Sequence, residues 1–130
     1  MEKEFVPHTE SLALKELGFD EPCLAIYNRD GEFSTVGDVR CPYTYLNNTH
    51  PIHREGNGVV CIPTYSQAFR FFREKYDLSG FVLPFGEGLF DYRIYSAKKG
   101  EHLWSSIEYK THEDAELACL RKLIEVCQKK

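Results

Sequence analysis

The stretch THEDAELACLRKLIEVCQ (111–128) predicts an amphipathic helix that begins at Thr111. Thr111 and Asp114 have the spacing of a capping box, in which a helix-start hydroxyl and a following carboxylate bind free backbone N–H groups. The apolar residues behind them recur at the i, i+3, i+4, i+7 spacing of one helix face: Leu120, Leu123, Ile124 and Cys127. A stripe of this width predicts a helix that packs across a sheet.

Two further helices are predicted upstream. The first runs from Thr9 to Leu17, and Gly18 is placed to end it because glycine readily adopts the left-handed conformation of a helix C-terminus. The second begins at Pro63 and ends near Asp77. Its helical stripe is mostly aromatic and consists of Tyr65, Ala68, Phe69, Phe72 and Tyr76. Phe71 falls outside this stripe.

The segments between the helices predict antiparallel hairpins. Asp30-Gly31 separates two strands expected near 23–28 and 32–36, because both turn positions tolerate positive φ. Gly86-Glu87-Gly88 separates a second pair. Pro84 lacks a backbone donor, so its strand is expected at a sheet edge or at a bulge. A fifth strand is predicted over 102–109.

These elements predict a single α+β domain over residues 1–130. Their order is α-ββ-α-ββ(β)-α, which fits an antiparallel sheet of four to five strands with helices packed on one face. The stretch 37–58 is rich in proline, asparagine and glycine and lacks periodicity, so it predicts a long loop. Long loops in small domains are uncommon, and such a loop is expected to be either functional or mobile.

Composition narrows the function classes. The formal net charge is −4, which argues against a general nucleic-acid binder because such proteins carry a basic face. The five cysteines are an odd number and contain no CxxC pair, so reduced thiols in a cytosol are expected. The N-terminal residues lack the apolar core of a secretory signal. No apolar run approaches the roughly 20 residues of a membrane span.

One group of residues suggests a metal site. Cys41, His50, His53 and Cys61 are side chains that zinc accepts as ligands. Their spacing matches no compact zinc knuckle, and histidine in a loop is commonly just a polar residue. Zinc therefore stays a minor alternative, and no cofactor is predicted.

Two residue pairs raise the question of catalysis. Asp91 and Arg93 share a strand face, where such a pair is usually a surface ion pair. Cys119 and His112 have the residue types of a nucleophile and its base, but Cys119 lies on the packed side of the last helix, where cysteine is usually inert. An enzyme is therefore the less favoured expectation.

A partner-binding surface is predicted on the outer face of the second helix and in the long loop. Arg70, Phe71 and Arg73 combine two cations with a ring expected to be exposed, and Tyr43 and Tyr45 add rings in the loop. Exposed aromatics are enriched at protein interfaces. The same three helix residues could also contact phosphates and stack a base. A plain solvated helix face is the simplest alternative.

Three segments resemble a set of small proteins encoded by bacteriophages and prophages of gut bacteria: LALKELGFDEPC (12–23), YSQAFRFFREKY (65–76) and EDAELACLRKLIEVC (113–127). They cover about a third of the chain and leave out the loop 37–58. No residue roles are assigned in that family. The resemblance implies a phage or mobile-element accessory protein acting in a bacterial cytosol.

The leading expectation is a non-enzymatic module that binds a host or phage protein, with self-association left open. One alternative is a small enzyme or ligand-binding protein with a pocket under loop 37–58. Another is a nucleic-acid-binding protein, which the net charge disfavours.

Overall fold

A computed structural model describes residues 4–27, 30–35, 60–105 and 108–129. The elements in chain order are α1 (His8–Glu16), β1 (Ala25–Tyr27), β2 (Phe33–Thr35), β3 (Val60–Ile62), α2 (Tyr65–Tyr76), β4 (Ser79–Gly86), β5 (Leu89–Ser96), β6 (Glu101–Ser105) and α3 (His112–Gln128). The chain divides into two compact units, Met1–Thr64 and Tyr65–Lys130. The predicted α+β class is confirmed, and the single domain stays a prediction. None of the helices in the described ranges has the length and apolar character needed to cross a membrane.

The strands form two antiparallel sheets, ordered β2-β1-β3 and β4-β5-β6. The prediction of one sheet of four to five strands is therefore wrong. Strand β3 returns to pair with β1, and β6 returns to pair with β5, so each hairpin is completed inside its own unit. A hairpin signal identifies strands that pair across a turn. A hairpin signal does not indicate which strand of one hairpin pairs with a strand of another. The sequence therefore could not predict how many sheets the strands form.

In the first unit, α1 ends as predicted at a left-handed glycine. Gly18 has φ of 96°. Its N–H donates to the Lys15 carbonyl at 3.1 Å, and the Phe19 N–H donates to the Leu14 carbonyl at 2.9 Å. This pair of bonds is a Schellman motif. Phe19 and Leu14 are both buried, so the cap also supplies core contacts.

The first sheet is a hairpin with one added strand. β1 pairs with β2, with Tyr27 opposite Phe33, which confirms the hairpin predicted around Asp30-Gly31. β1 also pairs with β3, and all three residues of each of these two strands are buried. Phe5 adds an isolated bridge to Thr64, just beyond β3. Loop 37–58 lies outside the described residues, so its conformation stays a prediction.

In the second unit, β4 and β5 form the second predicted hairpin. Gly86 pairs with Leu89, which leaves Glu87 and Gly88 as a two-residue turn. Their φ values are 54° and 77°, as a type I′ turn requires. β4 lies at the sheet edge, and its register shifts between Pro84 and Gly86. The structure therefore shows both of the alternatives predicted for Pro84, an edge strand and a register shift.

The helices of the second unit pack on one face of this sheet. Thr111 caps α3, because its hydroxyl accepts a hydrogen bond from the Asp114 N–H at 3.0 Å. The predicted apolar stripe of α3 is buried. Atoms of Phe69 on α2 and of Leu123 on α3 both lie within 4 Å of the position a Cβ on Gly80 would take, so the two helices cover the same side of β4.

Candidate binding groove beside strand β4

A groove opens in the second unit between α2, the start of α3 and β4. Its volume is about 280 Å³. It is lined by Ser66, Phe69, Arg73, Gly80, Phe81, Val82, His112 and Glu116, and we call it the β4 groove. Helices and a strand form its walls, so the groove is preformed to a degree that a loop site would not be.

The α2 wall combines an apolar ring with a cation. Ser66, Phe69 and Arg73 occur at i, i+3 and i+7, which places them on one side of the helix. Phe69 is buried, whereas Arg73 is exposed. Among the described residues, the Arg73 guanidinium has no hydrogen-bond or ion-pair partner. An exposed guanidinium is a donor whose hydrogen bonds carboxylates and phosphates accept.

The α3 wall carries a histidine and a glutamate one turn apart. The His112 ring lies edge-on to Phe90, with ring centroids 5.8 Å apart. Burial raises the pKa of the Glu116 carboxyl, the neighbouring His112 lowers it, and the nearby Glu113 raises it. Glu116 is thus partly withdrawn from water, and it would favour a hydrogen-bond donor or a cation at this end of the groove.

Ser66, His112 and Glu116 are the residue types of a hydrolytic triad, but their contacts do not support one. A nucleophile must lie within hydrogen-bonding reach of its base, and the base within reach of the group that orients it. No hydrogen bond links these three side chains in the described part of the chain. The described contacts therefore do not assemble a triad in this groove.

Gly80 lines the groove at a position where a larger residue would not fit. A Cβ at this position would lie 2.8 Å from the Cys119 Sγ and 2.9 Å from the Leu123 Cδ1. Both distances are shorter than side-chain carbons normally tolerate. The missing side chain lets α3 approach β4 closely, and it leaves the backbone of the strand accessible from the groove.

Phe71 differs from its prediction. The expectation of an exposed ring is wrong, since Phe71 is only 6% exposed. Its ring packs edge-on against Phe72 at 5.3 Å and against Tyr76 at 5.8 Å. The predicted stripe assigned one apolar face to α2, whereas the helix buries rings on a second face as well.

The other predicted binding residues remain predictions. Arg70 and Arg73 are exposed on α2, as expected, and only Arg73 lines the β4 groove. Tyr43 and Tyr45 lie outside the described residues. The pocket predicted under loop 37–58 also lies there.

The predicted zinc ligands are only partly described. Cys61 is fully buried on β3. A hydrogen bond with Cys61, together with burial, raises the pKa of Cys23. Cys41, His50 and His53 lie outside the described residues, so the metal site stays untested. Within the described ranges, no group of three potential ligands converges.

The structure describes the surroundings of Asp91 and of Cys119, one residue from each pair considered for catalysis. Asp91 is buried rather than exposed on a strand face, which corrects the expectation of a surface pair. It forms an ion pair with Arg93 and accepts a hydrogen bond from the Tyr92 N–H at 2.7 Å. Burial raises the pKa of the Cys119 thiol to about 12, so this cysteine is protonated and a poor nucleophile at neutral pH.

Sequence reasoning found Arg73 but missed most of the groove. No sequence pattern singles out Ser66, Gly80 or Glu116, because each is an ordinary residue for its helix or strand. The available signal was the spacing of Ser66, Phe69 and Arg73 along α2. That spacing places them together without indicating what lies opposite.

Comparison with known proteins adds no relationship. The chain matches no protein-family model, no curated protein sequence and no solved structure. The proposed mode of binding therefore rests on the residues of the β4 groove and of the strand beside it.

Proposed function

We propose that this protein is a non-enzymatic binding module that holds an extended segment of a partner protein along the outer edge of β4. The observation that carries the proposal is the open edge of this strand beside a preformed groove. In the described ranges, β4 pairs with β5 and with no other strand. Peptides commonly bind such edges by adding a strand to the sheet.

The backbone groups on the open edge can be assigned from the ladder. The Phe90 N–H and carbonyl both bond to Tyr109, so they point away from β4. Phe90 lies opposite Pro84, and Tyr92 lies opposite Val82. Because N–H directions alternate along antiparallel strands, the N–H and carbonyl of Val82 point outward. Pro84 offers only a carbonyl, which restricts how a partner strand can pair.

The outer face of β4 supports the same proposal. Phe81 and Leu83 alternate along the strand, and each is 39% exposed. An edge strand with exposed apolar side chains tends to pair with other chains, and proteins usually protect such edges. Side chains of an added strand would lie beside these two residues and remove apolar surface from water.

The dimensions and charges of the groove describe the expected segment. Ser66 and Arg73 are seven positions apart, which is about 10 Å along a helix. An extended chain covers that length with about three residues. Arg73 lies on α2, which comes before β4 in the chain, and its guanidinium favours a carboxylate on the bound segment. Glu116 lies on the other helix and favours a cation or donor.

The resemblance predicted from residues 12–23, 65–76 and 113–127 implies a phage or mobile-element context, so we propose a host or phage protein in a bacterial cytosol as the partner. A second copy of this chain is the competing occupant, because its own β4 has the same open edge. Oligomeric state at the concentrations used for binding separates these two occupants.

The test is selection of peptides from a random library displayed on a surface, followed by mapping on the isotope-labelled protein. We expect enriched peptides to be extended and to carry an acidic residue. We also expect them to slow hydrogen exchange at the Gly80 and Val82 amides. Val82→Pro removes one outward donor without removing a bond of the existing ladder. It should weaken binding by about 1 kcal/mol or more.

Leu24→Ser provides a matched control, since Leu24 is an exposed apolar residue of the first unit. It should leave peptide affinity unchanged. Peptides that map away from β4, or that bind Val82→Pro as tightly as the parent protein, would contradict the proposal. A parent protein that dimerises through β4 would reassign the edge to self-association.

A further inference from the structure

A second cavity, which shares Arg73 with the β4 groove, lies where the end of α2 meets the turn between β5 and β6. Its volume is about 330 Å³. Its charged lining residues are Arg73, Glu74, Lys75, Asp77, Lys98 and Lys99, and we call it the basic cleft. Four of these residues are cationic and two are acidic, in a chain whose net charge is −4. The excess of positive charge is therefore local.

Asp77 fixes the lysine-bearing turn to the end of α2. Its carboxylate accepts a hydrogen bond from the Ser96 hydroxyl at 2.7 Å and another from the Lys98 N–H at 3.0 Å. The Ser96 hydroxyl also accepts a bond from the Lys99 N–H at 3.3 Å. Asp77 has φ of 56°, a left-handed conformation that aspartate tolerates better than most residues. The backbone of the turn is thus held in place beside the helix.

The cations face this cleft from two separate elements. Arg73 and Lys75 come from the last turn of α2, and Lys98 and Lys99 come from the turn. The Lys75 ammonium lies over the Phe71 and Tyr76 rings, 5.6 Å and 5.7 Å from their centroids. These rings restrict where the Lys75 charge can lie. Asp77 already accepts two hydrogen bonds, so its charge is partly compensated within the fold.

We propose that the basic cleft binds a small phosphate-bearing anion. Phosphate oxygens accept hydrogen bonds from arginine and lysine, and several cations on two walls suit an anion with more than one charge. The volume is at the lower end of that of small-ligand sites and equals the liquid volume of roughly ten water molecules. A nucleic-acid strand fits less well, because it needs a longer basic track and exposed rings for stacking. Phe71, the ring expected to stack, is buried.

The test uses inorganic pyrophosphate as the probe and follows backbone amide shifts by NMR. We expect saturable shifts at Lys98, Lys99 and Gly100 that sodium chloride at the same ionic strength does not produce. Combined Lys98→Ala and Lys99→Ala substitution should weaken pyrophosphate binding at least fivefold. This variant keeps both backbone N–H groups that hold the turn, so its amide spectrum should otherwise match the parent.

Lys110→Ala removes the same kind of charge from an exposed position outside the cleft, and it should change the affinity less than twofold. The proposal fails if pyrophosphate shifts match those of sodium chloride. It also fails if Lys110→Ala weakens binding as much as the double variant. Tighter binding of single-stranded oligothymidylate than of pyrophosphate, lost in the double variant, would assign the cleft to nucleic acid instead.

Discussion

Replacing Gly80 tests the packing that shapes the floor of the β4 groove. In Gly80→Ala, the new Cβ would lie 2.8 Å from the Cys119 Sγ and 2.9 Å from the Leu123 Cδ1. Overpacking of this kind costs about 2 kcal/mol. Alanine recovers about 0.5–1 kcal/mol, because glycine within a strand is unfavourable. The net loss in the free energy of unfolding should be about 1–1.5 kcal/mol.

This loss converts to a change in melting temperature. Unfolding entropy is about 2.1 cal/mol/K per residue, so a chain of 130 residues should melt about 4–6 °C lower. Calorimetry and urea unfolding measure the two quantities independently. Val82 and Phe81 amide shifts should change as well, because α3 must move away from β4 to accommodate the methyl group.

A double-mutant cycle identifies the cause. Cys119→Ala removes the nearer contact atom, so the double variant should be less destabilised than the sum of the single variants by at least about 0.5 kcal/mol. Cys127→Ala is the matched control, since Cys127 is a buried cysteine on the same helix that does not approach Gly80. A higher melting temperature for Gly80→Ala would refute the reasoning. Equal coupling with Cys119 and Cys127 would also refute it.

Three further predictions concern single interactions in the second unit. Thr111→Ala should lower the free energy of unfolding by about 1 kcal/mol, because it removes the cap of α3, and an unchanged urea midpoint would contradict this. Hydrogen bonds from Ser96 and Lys98 hold the pKa of Asp77 below its ordinary value. The ionised carboxylate therefore contributes stability above about pH 4, and this contribution is lost as pH falls through the lower pKa of the folded state. Asp77→Asn should therefore lose less stability than the parent between about pH 4 and pH 2 in urea unfolding, and parallel profiles would count against this role. Burial raises the pKa of Cys119 to about 12, so iodoacetamide at about pH 8 should label this site only after unfolding, as read by peptide mass spectrometry.

Local chemistry made much of the fold predictable. Thr111 caps α3, Gly18 ends α1, and Glu87-Gly88 turns the second hairpin, because each feature depends on residues within a few positions of one another. Pro84 is similar, since a residue without a backbone donor suits an edge strand wherever that edge lies. The helices and hairpins were therefore predicted nearly in place.

The site was much less predictable, because its residues belong together only after the helices pack on the sheet. Arg73 was singled out for its charge, whereas Ser66, Gly80 and Glu116 carry no individual signal. Phe71 is a second example, in which the sequence pattern predicted an exposed ring that the structure buries. Its position off the main stripe indicated exposure, but the rings of Phe72 and Tyr76 cover it.

Local patterns in the sequence predicted the helices, the two hairpins, the caps at Gly18 and Thr111 and the α+β class of this protein. Only the packed structure shows that the described strands form two sheets and that β4, within the described ranges, pairs on one side only and borders a groove. It also shows that Asp77 accepts a hydrogen bond from the Lys98 N–H, 21 positions away in sequence. Caps and turns follow from backbone hydrogen bonds between near neighbours. Grooves and clefts depend on how closely segments that are distant in sequence pack together. Side-chain volumes set that spacing, as the absence of a Cβ at Gly80 does for α3 and β4, and they act only when the whole unit packs.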